Sequence, residues 1–181
     1  MPATGASQVS ERATATGTTH AKLPGAAQRL RLPLHARSQA RMATRWGFDL
    51  NTPDASERAE ALLADSPDDV DRLLLVASVR SSRGDDSAAL AAARAAAEKD
   101  EGSASAQSTV AALLARSGDL ATAQRHAQAA VDIDPQDPSA LYNLGLVRWT
   151  LGDRRAARGD FDRAADILGI ARASWWRRRT R

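Results

Sequence analysis

The chain has 181 residues, 43% of them apolar, a net charge of +3, no cysteine and three histidines. That length and composition can bury one core of ordinary domain size, and the lack of cysteine excludes disulfide staples, thiolate metal sites and cysteine nucleophiles. No window reaches the roughly 18 consecutive apolar residues of a membrane span, and the N-terminus lacks the apolar stretch of a secretory signal, so a soluble, cytoplasmic protein is expected. The apolar residues are mostly Ala and Leu with only seven aromatics, which favours close helix packing and an all-α fold. Charge is divided along the chain: the balance is +6 over residues 1–48, −8 over 49–169 and +5 over 170–181. Scarce Lys beside abundant Ala, Arg, Asp and Gly fits a GC-rich, bacterial genome.

Residues 1–48 begin with "PATGASQVSERATATGTTHA", a mixture that cannot bury enough surface to fold alone. A basic, mostly disordered N-terminal region is expected. After Pro33, the residues Arg37, Arg41 and Arg45 fall on one helical edge. Like charges at that spacing disfavour an isolated helix, which makes them candidate contacts for an anionic partner.

The next stretch, "PDASERAEALLADSP" at 53–67, predicts a helix with Ala55, Ala59 and Leu62 on one face. Beyond it the pair Gly-Asp returns at Gly84, Gly118 and Gly152, always 34 residues apart. With each glycine as position 15, three units run over 70–103, 104–137 and 138–171, and such a period sets the architecture before any local reading. Position 7 is Val76, Val110 and Leu144, and position 8 is Ala77, Ala111 and Gly145. Positions 20, 24 and 27 are Ala89, Ala93 and Ala96, then Ala123, Ala127 and Ala130, then Ala157, Phe161 and Ala164. These are steps along one helical face. Position 4 is Leu73, Gln107 and Leu141, of which Gln107 fits worst. Pro67, Glu101, Pro135 and Gly169 mark the boundaries, with Gly102 beside Glu101, and such residues break one helix before the next. Ser103 and Asp137-Pro138 read as helix starts, Gly118 as a left-handed helix end and Asp119 as a cap.

This pattern resembles the tetratricopeptide repeat, most closely in "ALYNLGLVRWTLGDRRAARGDFDRAADI" at 140–167. The resemblance implies a right-handed α-solenoid of antiparallel helix pairs, about three units with a capping helix at each end. Residues 53–69 then form a capping half repeat, with Ala55, Ala59 and Leu62 at positions 20, 24 and 27. Downstream, Phe161, Ala164, Ala165, Leu168, Ala171 and Trp175 predict a helical stripe continuing past the last unit, as the end of a solenoid requires. In this family, positions 2, 5, 9, 12 and 13 line a concave groove that takes a peptide or partner helix. The residues so implicated are Leu74, Ser78, Ser108, Ala112, Arg116, Tyr142, Leu146 and Trp149. Tyr142, Leu146 and Trp149 make an aromatic stripe suited to anchoring a partner, and Trp149 equally suits packing between units. The Lys, Asn and Arg side chains that hold a chaperone peptide's carboxylate in one subset of the family are absent from positions 5 and 9, with Asn143 alone resembling that set, so that ligand is not expected.

No catalytic residue, metal site or cofactor is expected. "DIDPQD" at 132–137 lacks the turn Gly and terminal Glu of a calcium loop, and His126 reads as a plain surface histidine without a relay partner. No phosphate loop or dinucleotide fingerprint appears.

The tail 172–181 ends in "ASWWRRRTR", in which Arg177, Arg178 and Arg179 are candidate anion contacts. Two Trp beside them suit nucleic acid, a membrane interface or an acidic protein surface, and a solvated tail with Trp175 capping the array is equally open. The leading expectation is a non-enzymatic scaffold or adaptor binding a protein segment in its groove. The alternative is nucleic-acid or anionic-membrane binding through the arginine-rich termini.

Overall fold

Every unit turns on the same two residues, a glycine that reverses the chain and an aspartate that starts the next helix. In the computed structural model, which describes residues 45–50 and 52–170, Gly84, Gly118 and Gly152 have φ of 83°, 91° and 92°. L side chains rarely adopt that left-handed backbone. The amide of Asp85 bonds the Arg80 carbonyl and that of Asp119 the Leu114 carbonyl, both at 3.0 Å, closing the first helix in a Schellman arrangement. Asp85, Asp119 and Asp153 then accept from the amides of Ala88, Thr122 and Ala156. Capping of this kind stabilises a helix by about 1 kcal/mol.

Seven helices make up the described residues, with no strand: α1 (Ala55–Asp65), α2 (Val70–Ser82), α3 (Asp86–Lys99), α4 (Ala104–Ser117), α5 (Leu120–Ile133), α6 (Pro138–Thr150) and α7 (Arg154–Ile167). Asp69, Ser103 and Asp137 cap the first helices α2, α4 and α6. Each helix packs on its successor, and the first helices also touch one another across units. The result is an α-solenoid of antiparallel pairs.

Small residues let the helices approach. Ala55, Ala89, Ala123 and Ala157 are fully buried, and the core runs from Val76 and Val79 through Val110 and Leu114 to Leu141, Leu144 and Phe161. Unit three differs in carrying aromatics, with the Tyr142 and Phe161 rings 5.7 Å apart and tilted by 51°. Its buried polar link is Arg148, whose guanidinium donates to Asp160 at 2.8 Å and to Gln128 on α5 at 2.8 Å. Burial pushes the Asp160 carboxyl above its usual range, opposed by Arg148.

The N-terminal boundary lies earlier than a half repeat at 53 would place it. Phe48 is only 2% exposed, with Trp46 and Leu50 packed beside it, so 45–50 joins the array. Arg58 covers the Phe48 ring at 5.3 Å and donates to the Gly47 carbonyl, while Arg83 donates to the carbonyls of Thr52 and Pro53. Phe48 is large and apolar, and burying it is favourable by roughly 1.5–3 kcal/mol, which outweighs the polar composition of the residues before it.

At the C-terminal end the boundary glycine ends the helix as its place in the repeat predicts: α7 stops at Ile167, Gly169 takes φ of 64°, and the Ile170 amide bonds the Ala165 carbonyl at 2.9 Å. Leu168 and Ile170 stay packed on the core, while Ala171 and Trp175 of the expected stripe lie outside the described residues. Residues 1–44 and 171–181 lie outside the described residues, and with them Arg37, Arg41, Arg177, Arg178 and Arg179.

Candidate partner-binding groove

The first helices α2, α4 and α6 carry the residues that the repeat pattern implicates in binding, and the structure divides them into two sets. Leu74, Ser78, Ala112 and Leu146 are partly exposed and Arg116 is exposed. Ser78, Ala112 and Leu146 occupy equivalent places on the successive first helices and are each partly exposed, changing from small and polar to apolar along the array. Ser78 donates its hydroxyl to the Leu74 carbonyl at 2.8 Å and Thr150 donates to the Leu146 carbonyl at 2.9 Å, which leaves both oxygens as acceptors.

Ser108, Tyr142 and Trp149 belong to the second set, at 4%, 9% and 8% exposed. Ser108 accepts a hydrogen bond from Asn143 at 2.8 Å, joining α4 to α6. Tyr142 packs on Phe161, and the Arg154 guanidinium lies 4.3 Å from the Trp149 ring. Large aromatics lower their free energy by burial, and here the core of unit three takes them. The exposed surface of the first helices is therefore less aromatic than the sequence pattern suggests.

Arg116 is anchored. It reaches Asp86 on α3 at 2.9 Å and the Ser81 hydroxyl on α2, and so bridges two units while its side chain remains about half exposed. Arg45 pairs with Asp71 at the start of α2, which engages the described member of the N-terminal arginine set. Asp71 stands at position 2 of unit one, one of the positions the repeat pattern implicates in the groove, whereas Phe48 was not legible as a core residue. The nearest signal was Gly47 between two aromatics in "RWGF".

His126 is partly buried, not a plain surface histidine. Its Nδ1 lies 2.7 Å from the Gln107 side-chain oxygen, and burial, then Arg125 and Arg94, lower its pKa. Gln107, the poor fit at position 4, is thereby explained as the acceptor for a neutral imidazole. In "DIDPQD" the Asp134 carboxylate accepts from the Gln136 amide at 3.0 Å and Asp137 from the Ser139 amide at 2.8 Å, a helix end and a cap. Among the described residues no group of three or more His, Asp or Glu is placed to hold a metal, and no helix is long and apolar enough to cross a membrane.

Comparison with solved structures gives the tetratricopeptide-repeat fold. MamA matches with 20% identity and a TM-score of 0.54, covering 62% of this chain and 66% of that one. YrrB, described as a TPR protein with an unusual peptide-binding site, matches with 22% identity and a TM-score of 0.54, covering 78% of this chain and 68% of that one. The Cut9–Hcn1 assembly of the APC/C matches with 16% identity and a TM-score of 0.61 over 82% of this chain, which spans 30% of that one. No family model matches the sequence, and no curated protein matches it.

Proposed function

We propose that this chain is a non-catalytic adaptor that takes an extended protein segment along the inner face of α2, α4 and α6. The observation that carries the reading is the partly exposed column Ser78, Ala112 and Leu146, with Leu74 beside it and Arg116 held at its edge. A ribbon of small and apolar side chains on rigid helices offers contact area without a rearrangement of the scaffold. The anchored guanidinium supplies one directional donor for a carbonyl or carboxylate of the bound segment. The peptide-binding description of YrrB supports a protein ligand.

A peptide array probed with the full chain, with Ala112→Asp and with Leu146→Asp tests this. Groove binding is lost in both variants and persists at high salt. Binding that both variants retain and that falls steeply with salt assigns recognition to the arginine-rich termini instead, as counterion release requires for nucleic acid or anionic surfaces.

A further inference from the structure

The turn between α6 and α7 is chemically unlike the two before it. Where unit one carries Ser81 and Asp86, and unit two Ala115 and Leu120, unit three carries Trp149 and Arg154, and Arg155 and Arg158 follow at places where neither earlier unit has a cation. These three arginines are exposed. Arg154 and Arg155 stand in the first turn of α7, where the helix dipole favours anions and opposes cations. The Arg154 guanidinium lies 4.3 Å from the centre of the Trp149 ring, and among the described residues no carboxylate pairs with it. A guanidinium over an aromatic face is restrained while its N–H groups stay available at the edge. Beside it, Trp149 is 8% exposed and its Nε1 is buried with no hydrogen-bond partner among the described residues. Buried donors are nearly always satisfied, because an orphaned one has given up water and gained nothing in return.

We infer that this turn binds the side-chain carboxylate of an acidic residue in a protein partner, with Arg154 as the main donor, Trp149 Nε1 as a second donor and Arg155 as a supporting charge. The fork of a guanidinium matches the two oxygens of a carboxylate. Among the described residues the Arg154 guanidinium is held by the indole alone, so it can shift with the bound carboxylate and bring the orphaned N–H within reach. Leu151, 46% exposed in the same turn, offers an apolar contact to the residue beside the acid. A polyanion such as RNA fits less well, because α7 goes on to Asp160, Asp162 and Asp166 and the balance over 49–169 is −8, which repels phosphates on either side of the one bound. Neither Ser78, Ala112 nor Leu146 takes part, so the site stands apart from the groove.

Nuclear magnetic resonance of the isotope-labelled full chain tests this. The chain has four Trp, and Trp46→Phe, Trp149→Phe, Trp175→Phe and Trp176→Phe assign their indole N–H signals, any three of these variants being sufficient. Capped alanine peptides with Leu-Glu, Leu-Gln or Leu-Lys at the centre are then titrated in, and inorganic phosphate separately. The Leu-Glu peptide is expected to move the Trp149 signal downfield to saturation, while Leu-Gln and Leu-Lys leave it in place. Arg154→Gln weakens the response about tenfold and Arg155→Gln weakens it less. Ala112→Asp, which disables the groove, leaves the response unchanged, so the two readings fail separately. A Trp149 signal that Leu-Glu does not move, or that Leu-Gln moves equally, overturns the proposal, as does a response that Arg154→Gln leaves intact. Saturation by phosphate at lower concentration than by the Leu-Glu peptide overturns it in favour of a phosphate ligand.

Discussion

Gly145 and Phe161 are fitted to each other: a Cβ built on Gly145 would lie 2.7 Å from Cε1 of Phe161. The two preceding units put Ala77 with Ala93 and Ala111 with Ala127 at these places, so the large ring of unit three stands where a methyl group was removed from the facing helix. Gly145→Ala gains about 1 kcal/mol in helix propensity but forces a buried ring to move, at about 1–3 kcal/mol. A net loss of stability of about 1 kcal/mol is expected in urea denaturation. In a Phe161→Ala background, itself destabilised by about 3–5 kcal/mol, the same Gly145→Ala change becomes neutral or stabilising. Additive effects of the two changes contradict the fit.

Gly118→Val should cost about 1–3 kcal/mol, because φ of 91° is strained for a residue with a branched Cβ. Gly118→Asn should cost distinctly less. The space beside Gly118 is open, so the difference between the two variants in thermal denaturation reports backbone conformation and not a clash.

Asp160→Ala leaves Arg148 without its carboxylate in a largely buried position, with an expected loss on the order of 3 kcal/mol. Asp160→Asn keeps an acceptor for the guanidinium and is expected to be much milder. Burial raises the folded pKa of Asp160, so the folded chain holds this proton more tightly than the unfolded one. The associated stability is therefore fully present below the unfolded carboxylate value and is lost as pH rises through the folded one. Urea titrations of wild type and Asp160→Asn should show the wild type gaining relative to the variant as pH falls toward 4.

Trp149→Ala is expected to destabilise the chain by about 3–5 kcal/mol, since the ring is 8% exposed and its loss opens a cavity. Failure of that variant to bind a partner therefore reports folding before it reports recognition. Ala112→Asp and Leu146→Asp, which alter partly exposed positions, should leave the melting temperature within a few degrees of wild type.

His126 has the opposite sign to Asp160. Its folded pKa is lowered from 6.5, first by burial and then by Arg125 and Arg94, so the unfolded chain binds the proton more readily. Stability should fall as pH drops below 6.5 and level off below the folded value. Melting curves between pH 7 and 5 should show this dependence, and His126→Gln should remove most of it.

Much of the scaffold was legible because it rests on local chemistry that recurs. Gly118 and Asp119 announce a left-handed helix end and a cap within two residues, and the third occurrence of the pair makes accident implausible. What could not be read depends on single side chains meeting across helices. Gln107 and His126, Ser108 and Asn143, and Arg148 and Asp160 each occur once, so no period reveals them. The groove suffered for the same reason: a repeat position says that Trp149 faces inward, but only the neighbouring Arg154 and the core of unit three show that it is covered. Phe48 was missed because the polar composition of 1–48 hid one strongly apolar anchor.

The ring-for-methyl exchange between Phe161 and Gly145 also bears on how the chain avoids assembling wrongly. Repeats this similar invite a second helix to dock on the first helix of another unit, a near-degenerate trap in the folding landscape. If α7 docked on α4, Phe161 would meet Ala111, whose methyl occupies the space that Gly145 leaves open. If α5 docked on α6, Ala127 would leave that space empty. Units one and two share an alanine register and lack this safeguard, so errors of pairing should concentrate between them, while the third unit can close correctly only upon itself.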